Sequence, residues 1–257
     1  MATSRRRKRV RTALAVFWLA VLAWLLFNMQ ARGVDAAVLE SGDAVTVDDA
    51  GADLRFVPTV DTARVGLVFY PGALVEPEAY APLARDVAEA GYEVVLVPIP
   101  FRLAPFERHR DALAAHTLDL IRADGERHAW VIGGHSKGGA LAAAFARDHA
   151  TDLAGLLLVG TSHPREDDLS GLRLDVTKVY GSEDGLASEE EIHRFAPNLP
   201  GATHFVRVDG ANHAHFGWYG WQLGDGSARI PRAEQHEATV QAVLDQLRRV
   251  DAQEATG

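Results

Sequence analysis

Cysteine is absent from this chain of 257 residues, and acidic residues are absent from its first 32 positions. The first absence excludes disulfides, thiolate metal sites and thiol nucleophiles. The second is an asymmetry of charge, because residues 1–32 carry seven Lys and Arg while all 35 Asp and Glu follow. The greater part of the chain is therefore acidic. Since the phosphates of nucleic acids require a basic surface, we predict no nucleic-acid partner.

The basic N-terminus is followed by a long hydrophobic run. Residues 1–12 contain RRRKRVR, and Ala13–Phe27 are apolar without interruption. A segment of this length, taken as residues 13–29, lies at the short end of what spans a bilayer as a helix. We predict a transmembrane signal anchor there, with a cleaved signal peptide as the alternative. Because basic residues remain on the cytoplasmic side of a membrane, residues 1–12 are predicted to be cytoplasmic. The remainder is predicted to be extracytoplasmic, or secreted after cleavage.

The rest of the chain divides by pattern into a linker at residues 30–43, a domain at 44–250 and a tail at 251–257. Periodicities of strand and helix alternate through the domain. Strands are predicted at 44–49, 53–59, 65–70, 92–100, 128–134, 153–161, 175–181 and 203–210, and helices at 76–91, 107–123, 141–149, 188–196 and 232–250. This alternation predicts an α/β fold with a mostly parallel central sheet and helices on both faces. The short connection before the strand at 175–181 leaves no room for a large lid domain.

The stretch GGHSKGG lies between a predicted strand and a predicted helix. It contains the pattern G-x-S-x-G, formed by Gly134, Ser136 and Gly138. At a sharp strand-to-helix turn this pattern presents the serine as a nucleophile, and side chains at the glycine positions would crowd the turn. The N–H groups of the following helix would point at negative charge that develops there. A plain glycine turn with an idle serine is the alternative. We predict that Ser136 is a catalytic nucleophile.

A catalytic serine needs a base that removes its proton and an acid that orients the base. In doubly wound hydrolases these partners follow the serine in the order acid and then His, each at the carboxyl end of a strand. Asp184 follows the predicted strand at 175–181, and His213 follows the predicted strand at 203–210. We therefore predict a triad of Ser136, Asp184 and His213 on three loops at one edge of the sheet.

Neighbouring residues offer alternatives for both partners. Glu183 precedes Asp184 and is the alternative acid, and His215 is the alternative base. His213 and His215 together could also contribute to a metal site, because imidazoles two residues apart can converge. No third ligand is evident in the sequence, so we predict that no metal is bound.

The negative oxygen of an acyl-transfer intermediate is usually held by two backbone N–H groups. One belongs to the residue after the nucleophile, which is Lys137 here. The other is expected from the loop PGALVEP that follows the strand at 65–70, with Ala73 as the first choice and Leu74 as the second. An ordinary turn is the alternative for this loop.

Several stretches of the sequence resemble the α/β-hydrolase superfamily, and most closely a compact bacterial serine-hydrolase subgroup related to dienelactone hydrolases. They are YPGALVEPEAYAPLA, VVLVPIPFRLA, WVIGGHSKGGALAA, VYGSEDG and GANHAHFGWYGWQLGDG. Lys137 departs from the apolar residue that is often found after the nucleophile in relatives. Ser136 stands where dienelactone hydrolases proper commonly use cysteine, so the resemblance does not imply the dienelactone activity itself.

The resemblance implies an α/β-hydrolase fold over roughly residues 44–250. It implies hydrolysis of an ester or related acyl bond of a small-molecule substrate, through an acyl-enzyme and without a cofactor. By the same resemblance, Ser136 is the nucleophile, Asp184 the acid and His213 the base. The alternatives are a non-catalytic binding protein of this fold, or a thioesterase, peptidase or acyltransferase that uses the same triad.

Two glycine-rich stretches follow the predicted base. Gly217–Trp221 reads GWYGW, whose aromatic side chains fit either the wall of an apolar pocket or the packing of a loop. Gly224, Asp225 and Gly226 are predicted to form a turn rather than an ion site.

Overall fold

The computed structural model describes residues 2–60, 63–123 and 129–256, and within them eight strands form one sheet. The strands are β1 Val45–Asp48, β2 Leu54–Pro58, β3 Val65–Tyr70, β4 Glu93–Leu96, β5 Ala129–His135, β6 Gly155–Val159, β7 Asp175–Gly181 and β8 His204–Val208. The α-helices are α1 Ala2–Asn28, α2 Ala81–Glu89, α3 Glu107–Ala123, α4 Lys137–His149, α5 Glu189–Arg194 and α6 Arg232–Glu254. Each predicted strand of the domain is present, with ends that differ by a few residues.

The sheet has the strand order β1-β2-β4-β3-β5-β6-β7-β8. Strands β3 to β8 pair with one another in parallel, whereas β2 is antiparallel to both β4 and β1 at one edge of the sheet. The chain leaves β3 toward β4 on one side and returns to β5 on the other. Ligands of open α/β sheets bind at the carboxyl ends of the strands beside such a reversal. The topology thus places the site at the ends of β3 and β5.

Each face of the sheet is covered by its own apolar cluster. All six residues of β3 are buried, because alternate side chains enter opposite faces. Val65, Leu67 and Phe69 join the cluster that contains α2 and α6, while Val68 and Tyr70 join the cluster that contains α3 and α4. The predicted α/β-hydrolase fold with helices on both faces is confirmed. In the continuously described range 129–256, the β6–β7 connection contains no separate lid domain.

Two domain limits differ in detail from the predicted ones. Helix α6 continues to Glu254, so the predicted limit at residue 250 falls inside a helix. The predicted linker at 30–43 contains one 3-10 turn at Ala36–Leu39, and it lies against the domain. The Arg85 guanidinium of α2, for instance, donates to the carbonyl of Val38 at 2.8 Å. Ala31, Val34 and Val38 of this segment also pack against the core cluster that contains α2 and α6.

Helix α1 contains the predicted anchor and ends against the domain. Its portion Arg7–Asn28 is the one helix in the described residues that is long and apolar enough to cross a membrane. Asn28 and Met29 are buried where the helix ends. The carbonyl of Asn28 accepts a hydrogen bond from Gly220 N at 2.7 Å, and that of Met29 accepts one from Glu76 N at 3.2 Å. The chain therefore passes from α1 directly into contacts with the domain.

Candidate active site

Ser136 lies between β5 and α4 on a turn of strained backbone. Its φ is +53° and its ψ is −115°, a conformation that residues with a side chain rarely adopt. Helix α4 begins at the next residue, Lys137, as expected for a helix that follows Ser136 directly. This strand–turn–helix arrangement is the context that a G-x-S-x-G nucleophile requires. The serine is half-buried.

The glycines around Ser136 are required by close packing. A Cβ at Gly134 would overlap the carbonyl carbon of Gly138, and a Cβ at Gly138 would overlap the carbonyl oxygen of Tyr70 at the end of β3. A Cβ at Gly133 would lie 2.8 Å from the Cβ of Leu157 on the neighbouring strand β6. These contacts press the turn against the sheet, so the position of Ser136 is fixed by backbone on several sides.

Asp184 and His213 form a buried pair beside this turn. His213 Nδ1–H donates to Asp184 Oδ2 at 2.9 Å, and both side chains are almost fully excluded from water. The other carboxylate oxygen, Oδ1, accepts hydrogen bonds from Leu186 N at 2.8 Å and Ala187 N at 2.7 Å. Three donors thus hold the carboxylate, which in turn sets the orientation of the imidazole. His213 Nε2 is buried and has no partner among the described residues.

Ser136 and His213 line one cavity of about 250 Å³. No hydrogen bond joins Ser136 to His213 in the described part of the chain. Catalytic hydrogen bonds of this kind are often long before substrate binds. A larger cavity of about 430 Å³ lies between α3 and α4, and it contains none of the predicted site residues. The structure therefore brings Asp184 and His213 into contact and places Ser136 in the cavity that His213 lines.

The backbone N–H groups of Lys137, Ala73 and Leu74, the candidate oxyanion donors, differ in their hydrogen bonds. Lys137 N is the first N–H of α4, where no preceding helical turn supplies an acceptor. Leu74 N already donates to the carbonyl of Arg102 at 2.6 Å. Ala73 N has no acceptor among the described residues. Between the two choices in this loop, Ala73 is the N–H that is available to a ligand.

Both alternative triad residues have other contacts. The Glu183 carboxylate pairs with the Arg229 guanidinium at 2.5 Å and accepts a hydrogen bond from Ser182 Oγ at 3.1 Å. His215 is held through its backbone N–H, which donates to Asn212 Oδ1 at 3.1 Å. Burial, and then the nearby Arg232 charge, lower the pKa of His215. It contributes nothing to the described lining of the Ser136 cavity.

Asp225 connects the loop of Asp184 with the loop of His213, a role the sequence did not reveal. Its Oδ1 accepts from His213 N at 3.0 Å, and its Oδ2 accepts from Ala214 N at 2.8 Å. Oδ1 also lies 3.4 Å from Gly185 N, next to Asp184. The sequence predicts only a turn at 224–226. The sequence does show a carboxylate between two glycines shortly after the GANHAHFG stretch. It does not show that this carboxylate accepts hydrogen bonds from His213 and Ala214, because those contacts form only when the two loops pack together.

A buried polar network behind Ser136 was also missed. His135 is fully buried directly before the serine, and its Nδ1 accepts a hydrogen bond from Tyr80 Oη–H at 2.8 Å. Tyr80 Oη accepts one from Gly72 N at 3.0 Å, next to Ala73. Burial, reinforced by the neighbouring His213, lowers the pKa of His135 well below its ordinary value, so the ring is neutral. The network connects the Ala73 loop to the residue that precedes Ser136.

The aromatic residues after His213 pack a loop and lie outside the described lining of the Ser136 cavity. Tyr219 is fully buried and forms a β-bridge with Ala31, and Trp218 accepts a hydrogen bond from Arg32 N at 2.7 Å through its carbonyl. The ring of Trp221 lies 5.6 Å from that of Trp24 in α1. Of the two interpretations of GWYGW, these contacts favour loop packing.

A serine on a strained strand-to-helix turn, beside a His–Asp pair at the carboxyl edge of a doubly wound sheet, defines the α/β-hydrolase class. Residues 66–237 match the model of the alpha/beta hydrolase family. This match covers well over half of the chain, and the chain belongs to that family. No curated protein sequence matches it.

Solved structures of low sequence identity have the same fold. A bacterial heroin esterase is 18% identical, with a TM-score of 0.61 over 83% of this chain and 88% of that chain. A candidate dienelactone hydrolase from Klebsiella pneumoniae is 14% identical, with a TM-score of 0.59 over 80% and 99%. XC6422 from Xanthomonas campestris, an α/β serine hydrolase without a lid, is 16% identical, with a TM-score of 0.56 over 79% and 94%.

Proposed function

We propose that this protein is a serine hydrolase that cleaves an ester or related acyl bond of a small-molecule substrate with the triad Ser136, Asp184 and His213. The observation that carries the proposal is the buried hydrogen bond between His213 Nδ1 and Asp184, beside a cavity that holds Ser136 on its strained turn. A protein that only binds a ligand has no need of a base oriented by a buried acid.

In the proposed reaction His213 Nε2 accepts the proton of Ser136 Oγ while Oγ attacks the carbonyl carbon. The carbonyl π electrons move to the oxygen, and the N–H groups of Lys137 and Ala73 stabilise the resulting negative charge. The tetrahedral intermediate collapses, the bond to the leaving group breaks, and His213 donates its proton to that group. Water, activated by the same base, then attacks the acyl-enzyme and releases the acid and Ser136. Asp184 holds His213 in one tautomer and stabilises its cationic form.

The hydrogen bonds of His213 support this assignment of roles. Nδ1 is already used by Asp184, so a proton can be accepted at Nε2 alone. Nε2 is buried without a partner in the described residues, and an unpaired buried acceptor costs free energy. A buried Nε2 without a partner is expected if it accepts the proton of the nucleophile and later donates that proton to the leaving group.

A fluorophosphonate probe tests the proposal, because it labels an activated serine covalently. We expect labelling of the wild type and its loss in Ser136→Ala. Ser162→Ala is the matched control, since Ser162 lines the same cavity but its hydroxyl accepts a hydrogen bond from Arg165 Nε at 2.8 Å, and the variant should retain labelling. An unlabelled wild type, or equal labelling of Ser136→Ala, would show the proposal to be wrong. Binding without turnover across a broad panel of esters would favour a non-catalytic protein.

We also propose that residues 13–29 remain attached as a membrane anchor, with the hydrolase domain outside the cytoplasm. Met29 is buried in the core cluster, and Ala31 N donates to Glu76 Oε2 at 3.0 Å. Cleavage around Met29–Ala31 would cut the chain at these contacts, which favours retention of the helix. The basic residues before the helix favour the cytoplasmic side.

Alkaline carbonate extraction of membranes tests the anchor. An anchored protein stays with the membrane and retains its N-terminal residues, whereas a cleaved protein is released without them. The absence of cysteine permits a direct test of sidedness. A single Ala255→Cys substitution should react with a maleimide that cannot cross the membrane when added from outside. Reaction only after lysis would contradict the proposed orientation.

A further inference from the structure

Two loops at the active-site edge expose large apolar side chains. Phe101, Leu103 and Phe106 follow β4, and Trp221 and Leu223 follow the His213 loop. Phe101 is 77% exposed and Leu223 is 66% exposed. Exposed apolar side chains that cluster, rather than occur singly, mark a surface that contacts something else.

The second loop touches the predicted membrane span itself. The Trp221 ring lies 5.6 Å from that of Trp24, and Gly220 N donates to the carbonyl of Asn28 at 2.7 Å. Trp24 lies one turn before the end of the apolar helix Arg7–Asn28. At a rise of about 1.5 Å per residue, its depth differs from that of Asn28 by only about 6 Å. Trp221 must therefore lie at the depth of the last turn of the span.

The first loop reaches the same point through Glu76. The Arg102 guanidinium pairs with Glu76 Oε1 at 3.0 Å. Glu76 N donates to the carbonyl of Met29 at 3.2 Å, and Glu76 Oε2 accepts from Ala31 N at 3.0 Å. The residues that join α1 to the domain thus lie close both to the Trp221 loop and, through Glu76, to the loop of Phe101.

We propose that Phe101, Leu103, Phe106, Trp221 and Leu223 form an interfacial collar that inserts into the outer leaflet around α1. This surface contacts the lipid bilayer, because the collar is continuous with α1, the helix that is proposed to cross the bilayer. Aromatic side chains favour the region between headgroups and acyl chains, which is where these contacts place Trp221. The collar rests on the proposed anchor and does not depend on the proposed hydrolysis.

The collar sets the orientation of the active site. The loop of Ala73 contacts the residues that follow α1, and the Trp221 loop follows His213 along the chain. The carboxyl edge of the sheet, with Ser136, therefore faces the bilayer. The amino ends of the parallel strands face away from it, and Phe205 at the start of β8 lies there.

Lipid quenching of single-cysteine variants tests the collar on the full chain in phosphatidylcholine nanodiscs. Because the protein has no cysteine, Phe101→Cys, Leu223→Cys and Phe205→Cys can each carry one fluorophore. Nitroxide-labelled lipid in the disc quenches only fluorophores that contact the interface. We expect quenching severalfold greater at positions 101 and 223 than at 205, whose partly exposed phenylalanine is the matched control.

Equal quenching at all three positions would overturn the collar, and so would failure of the full chain to enter nanodiscs. The labelled proteins are also treated with fluorophosphonate. If labelling of Ser136 fails while the quenching difference is present, the proposed hydrolysis is wrong and the collar stands. If Ser136 is labelled while quenching is uniform, the collar is wrong and the hydrolase stands.

Discussion

Asp225 accepts a hydrogen bond from the backbone N–H of His213 at 3.0 Å, so a carboxylate outside the predicted triad holds the base in place. Its second oxygen accepts from Ala214 N. One side chain thus orients the start of the loop on which the imidazole sits, without contacting the imidazole itself.

Asp225→Asn is expected to lower kcat by about 10- to 100-fold with little change in KM, because small misplacements of catalytic groups are costly. The amide presents one acceptor oxygen where two are used. Steady-state kinetics on an activated ester measures the effect, and Asp168→Asn, at an exposed position, is the control. A role limited to stability would instead lower the melting temperature and leave kcat of the folded enzyme unchanged.

Asp184→Asn is expected to lower kcat by roughly 10³- to 10⁴-fold, since the amide favours the wrong tautomer of His213. Glu183→Gln is the matched comparison, because Glu183 pairs with Arg229 instead. Its activity should remain close to that of the wild type. The opposite ranking of the two variants would identify Glu183 as the acid.

Tyr80→Phe is expected to reduce the free energy of unfolding by about 1–3 kcal/mol, because it leaves buried polar groups without partners. The groups are Gly72 N and His135 Nδ1, which Tyr80 Oη joins. Urea denaturation measures the change. Tyr92→Phe, which removes a hydroxyl with no hydrogen bond in the described part of the chain, should have little effect. Similar losses in both variants would contradict the role of the network.

Lys178→Met is expected to stabilise the protein most at low pH. Burial lowers the pKa of Lys178 from 10.5 to about 7, while its ammonium donates to the carbonyl of His163 at 2.5 Å. Between about pH 7 and pH 10.5, Lys178 is protonated in the unfolded chain and neutral in the folded chain. The free energy of unfolding of the wild type therefore rises with pH across that window.

The advantage of Lys178→Met over the wild type should shrink by about 3 kcal/mol between about pH 6 and about pH 9. Urea denaturation at the two pH values measures it. Arg122→Gln, at an exposed ion pair with Asp152, is the control and should show no comparable trend. An advantage that grows with pH would contradict the shift in the pKa of Lys178.

The sequence predicts the sheet and the loops of the candidate site because both depend on local patterns. Continuous apolar runs such as that of β3 indicate strands buried on both faces, and parallel strands bring their carboxyl ends to one edge. That rule places Asp184 and His213 beside each other, even though it says nothing of the hydrogen bond between them. Gly134 and Gly138 also predict the turn from the sequence alone, because a tight turn of this kind requires residues without a side chain.

Contacts between residues distant in the chain are decided only in the tertiary structure. Asp225 is followed by a glycine like many turn residues, and only the packing of two loops brings His213 N to its carboxylate. His135 occupies a spacer position in the motif, yet burial makes it the acceptor of a network that reaches Gly72. The segment 30–43, which has no periodic pattern, also lies on the domain through contacts with residues that are distant in the chain. By itself the sequence determines the periodicities, the turn chemistry of Ser136 and the order of the triad residues. The partners of each polar group depend on folding, because burial removes water and leaves each group with whatever donor or acceptor the fold brings near it.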